Sequence, residues 1–324
     1  MINGNSLILQ FGKEPSYATL ANPERQIKVA SEGFKATYNK KDEGLLTSSR
    51  SGTGRKEVMS VKSEGSISTL ARPDDTGLFL FGGLGVEEAV ESVGTKAYKH
   101  TFHAIGTGEN DKLPSLSAFV DRKVDVFTYN GLKIESFSFS ASPEDYLKLD
   151  VNFVGKEEAY NGTMSKTLTP SPLKAFKFRH GKVKIAGAEI ADITSIKFDY
   201  QNSLDSSTQT TGTGLYFLEP QVGGRNIKTD LEMLYTSDSE GIRKNYYKTD
   251  ADVAIELTFT SDELIEDDIP YSLKITIPCN QCPDSTANFG SAETIKHTMS
   301  FEAFENGTDE LITVELINGY ANKY

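Results

Sequence analysis

The chain runs through the same script twice, and that repetition limits it to folds that can be built in tandem. The midpoint is the polar stretch Asn161-Gly162-Thr163-Met164-Ser165-Lys166-Thr167-Leu168-Thr169-Pro170-Ser171-Pro172. It holds a Gly, two Pro and little to bury, so it reads as a linker between residues 1–160 and 173–324. In the first part a strand-like run, Gly33 to Lys40, precedes a Ser/Thr/Gly loop that begins at Leu45. In the second, Ile193 to Tyr200 precedes a loop that begins near Leu204, and both loops reach Gly-Thr-Gly, at Gly52 and Gly212. Each part then carries one predicted helix. The first spans about Pro73 to Leu84 and opens on Pro-Asp-Asp; the second spans about Ser237 to Lys248, capped by Ser237 or Asp238.

Strands follow each helix, Tyr98 to Ala104 matching Ile255 to Thr260. Two hairpins are then predicted from apolar alternation around a polar turn. One is Ser138-Phe139-Ser140-Ala141 leading to Leu147, Leu149, Val151 and Phe153; the other is Ala303-Phe304 leading to Ile312, Val314 and Leu316. The expectation is a mainly-β protein of two tandem β-sandwiches, with one short helix per repeat. A chain 37% hydrophobic and rich in Phe (18) and Tyr (14), as here, has the material for such a core.

Charge and cysteine content narrow the partners and the compartment. The formal charge is −12 with pI near 5.0, which argues against tight nucleic-acid binding, since phosphate affinity needs clustered Lys and Arg. Ordinary solubilising charge is the default reading of such an acidic surface. No apolar run approaches the ~20 residues of a membrane span, so no membrane partner is expected, and the start lacks the basic and apolar regions of a signal peptide. With two Cys, Cys279 and Cys282, folding in a reducing cytosol is expected.

A search for chemistry finds no site. His100 and His103 lie in an alternating strand that sends them to opposite faces, which spoils metal ligation. Cys279-Asn280-Gln281-Cys282 lacks a second Cys pair and a helix start, so it reads as a tight turn with incidental thiols. Gly82-Gly83-Leu84-Gly85 is not a phosphate-binding loop, and Asp262 to Asp268 reads as a solvated acidic loop without the Ca²⁺-binding spacing. No Gly-x-Ser-x-Gly occurs. No enzyme and no cofactor are expected.

The two long loops are the unusual parts. Leu45, Leu46, Arg50 and Arg55 in the first, and Leu204, Leu215, Tyr216 and Phe217 in the second, are expected to belong to arms that dock on a partner, and a repeated arm on a repeated sandwich suggests self-assembly. A succession of short features resembles the tail tube proteins of long-tailed bacteriophages: Glu14-Pro15-Ser16-Tyr17-Ala18-Thr19, Lys28-Val29-Ala30-Ser31-Glu32, Leu46 to Arg50, and Gly65-Ser66-Ile67 through Leu70-Ala71-Arg72-Pro73 to Gly82-Gly83-Leu84-Gly85.

That resemblance implies a structural virion protein that assembles with itself into stacked rings, meets other tail proteins at the tube ends, and passes double-stranded DNA without tight binding. It implies strands joined into an inner β-barrel with the helix outside it. Two sandwiches on one chain resemble the fused type, in which three chains imitate a six-membered ring. Alternation makes Glu57, Glu64 and Glu135 candidates for acids facing the lumen. The alternative is a β-sandwich carbohydrate-binding or adhesin module, which without Trp would rely on Tyr or Phe.

Overall fold

The computed structural model describes residues 6–45, 54–106, 108, 111–160, 164, 166–288 and 294–324. It is mainly β, 53% strand against 8% helix, as the alternation predicts. One antiparallel sheet of eight strands runs through it. The order is β4 (Lys35–Lys41), β5 (Glu57–Leu70), β11 (Lys148–Gly155), the second half of β10 (Val126–Ala141), β15 (Ile193–Gln201), β16 (Asn226–Leu234), β19 (Lys296–Ala303) and the second half of β18 (Ile269–Asn288). β3 (Val29–Glu32) continues the line of β4 beside β5.

A second layer covers one face. In the first half it is β2 (Arg25–Ile27), β1 (Ile8–Lys13), β9 (Leu116–Asp121), the start of β10 and β12 (Glu157–Tyr160). In the second half it is β14 (Ala188–Ile190), β13 (Gly181–Ile185), β17 (Val253–Glu266), the start of β18 and β20 (Thr313–Asn318). β10 and β18 are long because each serves both layers, and each shifts register where it crosses. The extra residue is Glu135 in β10, while in β18 Cys282 and Pro283 together stand opposite Phe301, and a bulge is a place where a strand tolerates Pro. Among the described strands the ladders form no closed circuit.

The two halves meet at β10 and β15, where Phe137 pairs with Tyr200 and Phe139 with Phe198. All four are buried, while the alternate residues Ser136, Ser138, Lys197 and Asp199 face outward. Phe137 and Tyr200 stack with ring centroids 4.9 Å apart. Helix α1 (Thr76–Leu84) is buried on nearly every side, as an all-apolar helix must be. It lies between the layers because Gly83 lets its backbone touch β10: a Cβ there would stand 2.7 Å from the Phe137 ring. Gly85, at φ 93°, ends the helix in the left-handed conformation.

The structure corrects five sequence expectations. β8 (Tyr98–Ala104) is not the counterpart of Ile255 to Thr260; with β6 (Gly85–Glu87) and β7 (Glu91–Ser92) it forms an insertion, and it pairs with β20 of the second half. Ala303 and Val314 do not belong to one hairpin, since β20 pairs with β18 and β8 while β19 pairs with β16 and β18. The second helix, α2 (Ser237–Ile242) continued by a wider turn Arg243–Tyr247, is capped by Thr236, whose Oγ1 accepts the Ser239 N–H at 3.3 Å. Finally, Cys279 to Cys282 is extended strand within β18, and Asp262 to Glu266 is strand closed by a short turn at Asp267.

Asp75 stands just before α1 with its side chain buried, making no cap bond, and its Oδ2 without a partner. Burial first, then the neighbouring Asp74, pushes its carboxyl up to about 7. A folded-state value above the unfolded one means that the fold favours the protonated acid, so this group's contribution to stability falls as pH rises from about 4 to about 7. Asp75→Asn is therefore expected to gain about 1–3 kcal/mol over the parent at pH 8 and little at pH 4, read from urea unfolding at both. An equal effect at the two pH values would contradict this.

Candidate assembly surface

The eight-strand sheet has one covered face and one bare polar face. On the bare face lysines and carboxylates alternate, and they meet in pairs: Lys35–Glu64 at 3.0 Å, Lys197–Asp199 at 2.6 Å, Lys228–Asp230 at 3.1 Å and Lys296–Glu232 at 2.7 Å. Hydrogen bonding from Lys35 holds the Glu64 carboxyl below its ordinary range, so Glu64 is charged at neutral pH.

The sheet ends in two open strands. Among the described residues β4 pairs with β5 alone, and Asp284 to Asn288 of β18 pair with β19 alone. Such edges present unpaired backbone groups to any other strand. On the β4 side one position is closed. The Phe34 N–H donates to Glu32 Oε2 at 3.0 Å, and the Phe34 carbonyl accepts from Arg122 at 2.7 Å. Arg122 in turn holds Glu32 with two bonds, at 2.9 and 3.1 Å.

The second loop, between β15 and β16, lies along the first half of its own chain. Its Leu215 carbonyl accepts the Val61 N–H at 2.8 Å, beyond the end of β11. Glu219 accepts from Lys133 and Lys112, both at 2.8 Å, and Lys133 also donates to the Pro220 carbonyl at 3.0 Å. Lys133 is 1% exposed, and that burial pushes its ammonium pKa down. Burial alone would raise Glu219, but the two lysines hold it below its ordinary range.

Of the loop residues singled out by sequence, Leu204 packs with Ile105, Leu113 and Val222, Tyr216 lies 5.6 Å beneath the Lys156 ammonium, and Phe217 is half-buried. Leu215 remains exposed, as do Leu45 and Arg55 of the first loop; Leu46 and Arg50 lie outside the described residues. The three acids are not brought together. Glu64 is on the bare face, the register shift between Asn39 and Lys40 brings Glu57, opposite Lys41, to that same face at the exposed start of β5, and Glu135 sits in the β10 bulge.

The edge residues Lys35, Phe34 and Ser285 were missed by sequence. The signal that finds them is the bulge shared by the two halves.

The residues with chemical potential are engaged internally. His100 is buried between Glu87 and the Tyr320 carbonyl, each at 2.8 Å, and Tyr324 N–H donates to the other Glu87 oxygen at 2.8 Å. Burial pushes the Cys282 thiol up to about 11, and Cys279 is raised as well, so neither is activated. Among the described residues no group of three His, Cys, Asp or Glu is placed to hold a metal ion.

One large open-edged sheet, covered on one face by a second layer, defines a mainly-β protein. The family model of the phage tail tube protein matches residues 4–303, and the chain belongs to that family. It is thus a structural component of a phage tail, from a family that assembles with itself and with other tail proteins and is not known for catalysis. No curated protein matches the chain in sequence.

Proposed function

We propose that three chains close their eight-strand sheets into one ring, and that stacked rings form the tube through which phage DNA passes into the host. The observation that carries this is the joint of β10 with β15, where one sandwich already binds the next edge to edge inside a single chain. Repeating that joint between chains consumes both open edges, which is how a closed ring escapes indefinite aggregation.

Size supports a multi-chain ring. Eight strands closed on themselves leave an interior that side chains fill. Three chains of eight, about 24 strands at ~4.8 Å, give a circumference of roughly 115 Å and a diameter of about 37 Å before strand tilt widens it. That bore admits a DNA duplex with a water layer.

The second layer and α1 cover the apolar face and need the larger outer circumference, so the bare polar face lines the lumen. Its lysines are engaged by neighbouring acids, leaving few free cations for phosphate to displace counterions from. Low adhesion then comes from paired charges together with the net −12, with Glu57 and Glu64 among the acids on this face.

In this arrangement 1–160 and 173–324 are the two ring positions, joined by the linker 161–172. Leu45 and Arg55 reach towards neighbouring subunits, and so does the exposed side of the second loop, Leu215 to Phe217. Two unpaired cysteines suit synthesis in the host cytoplasm before incorporation into the virion.

Native mass spectrometry of the purified protein at increasing concentration tests this. Expected are species of three times 35.5 kDa and multiples of that unit. A monomer at every concentration and salt would overturn it.

A further inference from the structure

The repeat is regular enough to give the chain-to-chain joint residue by residue. Adding 164 to Val29, Ser31 and Glu32 gives Ile193, Ser195 and Ile196. The partners follow the same shift, Thr69, Ser68 and Ile67 becoming Met233, Glu232 and Leu231. Both ladders skip one residue at the same place, between Val29 and Ser31 and between Ile193 and Ser195. For the other side of the joint the offset is 148. Ser138 opposite Asp150 becomes Thr286 opposite Thr298, and the bulge residue Glu135 becomes Pro283.

Within the chain, Phe137 pairs with Tyr200, Ser138 with Asp199, and Phe139 with Phe198. Shifting the first member by 148 and the second by −164 converts these pairs into Ser285 with Ala36, Thr286 with Lys35, and Ala287 with Phe34. Both strands are the open edges of the sheet.

We propose that β18 of one copy pairs antiparallel with β4 of the next in this register, and that pairing displaces the Glu32–Arg122 clasp which caps Phe34 in the free chain. The proposal rests on the ring described above. The occupant is a second copy because the chain itself shows what this edge accepts. The backbone groups of Phe34 that Glu32 and Arg122 occupy are those whose counterparts on Phe198 face Phe139 across the internal joint.

Glu32 stands where the internal joint has buried Ile196, and a charge at that place is a device that keeps a lone edge from sticking. The two joints also differ in strength. The stacked Phe137 and Tyr200 of the internal joint are replaced by Ser285 and Ala36, so the internal joint forms with folding and the external one closes later, on assembly.

The test is a disulfide across the joint in a full chain carrying Cys279→Ser and Cys282→Ala. Lys35→Cys with Thr286→Cys places two thiols at the wide, non-hydrogen-bonded pair, where cross-strand Cβ atoms come closest. Oxidation of assembled protein is expected to give a ladder of covalently linked chains on a non-reducing gel, whereas Asn39→Cys with Thr286→Cys gives monomers. Rings that form normally but link through Asn39, or through neither pair, overturn the register and leave the ring standing. Failure of the unsubstituted chain to form rings removes both. Arg122→Gln, on the unsubstituted background, is expected to shorten the assembly lag several-fold. An unchanged or longer lag, with the Lys35 and Thr286 link intact, would refute the clasp.

Discussion

Phe137→Ala is expected to lower the free energy of unfolding by about 3–5 kcal/mol, the range for losing a large aromatic side chain from a close-packed core. Phe137 is 2% exposed and fixes three elements at once. It stacks on Tyr200 across the joint of the two halves, meets Phe139 and Phe198 with centroids at 5.9 and 6.2 Å, and receives α1 at Gly83. The shared contact also predicts its form: a single urea transition in the parent, separating into two in the variant as the halves uncouple. A loss below about 1 kcal/mol with one sharp transition would show that the joint is not a structural centre.

Glu219→Ala is expected to cost roughly 3 kcal/mol, because it strands the Lys133 ammonium in the interior with only the Pro220 carbonyl and the face of the Tyr17 ring as partners. Lys112, nearly half exposed, contributes little to that figure since water replaces its partner. Releasing Glu219 also detaches the second loop from β5, so limited proteolysis should cut between Asp205 and Gly223 far faster than in the parent. Lys133→Met with Glu219→Leu should recover most of the stability, since an apolar pair does not carry the desolvation penalty. If the single variant matches the parent in both stability and cleavage rate, the loop is held by something other than this pair.

Much of the architecture was legible in the sequence, for physical reasons that particular residues show. The alternation Phe137-Ser138-Phe139-Ser140 is a half-buried strand because its period is two, and the structure places the phenyl rings inside and the hydroxyls outside. Both helices fell close to the predicted ranges, since α1 ends on a glycine and α2 starts after a hydroxyl cap.

The pairing of the halves was harder to read. Gly52 and Gly212 set the repeat at 160, while the strand ladders run at 164 on one side and 148 on the other, because loops and the β6–β8 insertion change length between copies. Registers also pass through bulges at Glu135 and Pro283, which break the period that alternation relies on. Cys279 to Cys282 read as a turn, but the flanking Pro278 and Pro283 each lie at a register shift of β18 and the strand continues. β20 beside β8 joins residues more than 200 positions apart, and local pattern carries no trace of that.

The candidate surface was partly legible for the same reason. Apolar residues at Leu215 to Leu218 signalled docking, and the loop does dock, on its own chain. The open edges carry no compositional mark, since Lys35 and Thr286 look like any strand residues. They become visible when the two halves are laid over each other.

Negative-stain electron microscopy of the concentrated, untagged protein would show the ring itself. Expected are hollow rings or tubes of uniform bore whose end views average with three-fold symmetry and six similar lobes. Dispersed monomers under all salt conditions, or solid fibrils without a bore, would contradict it.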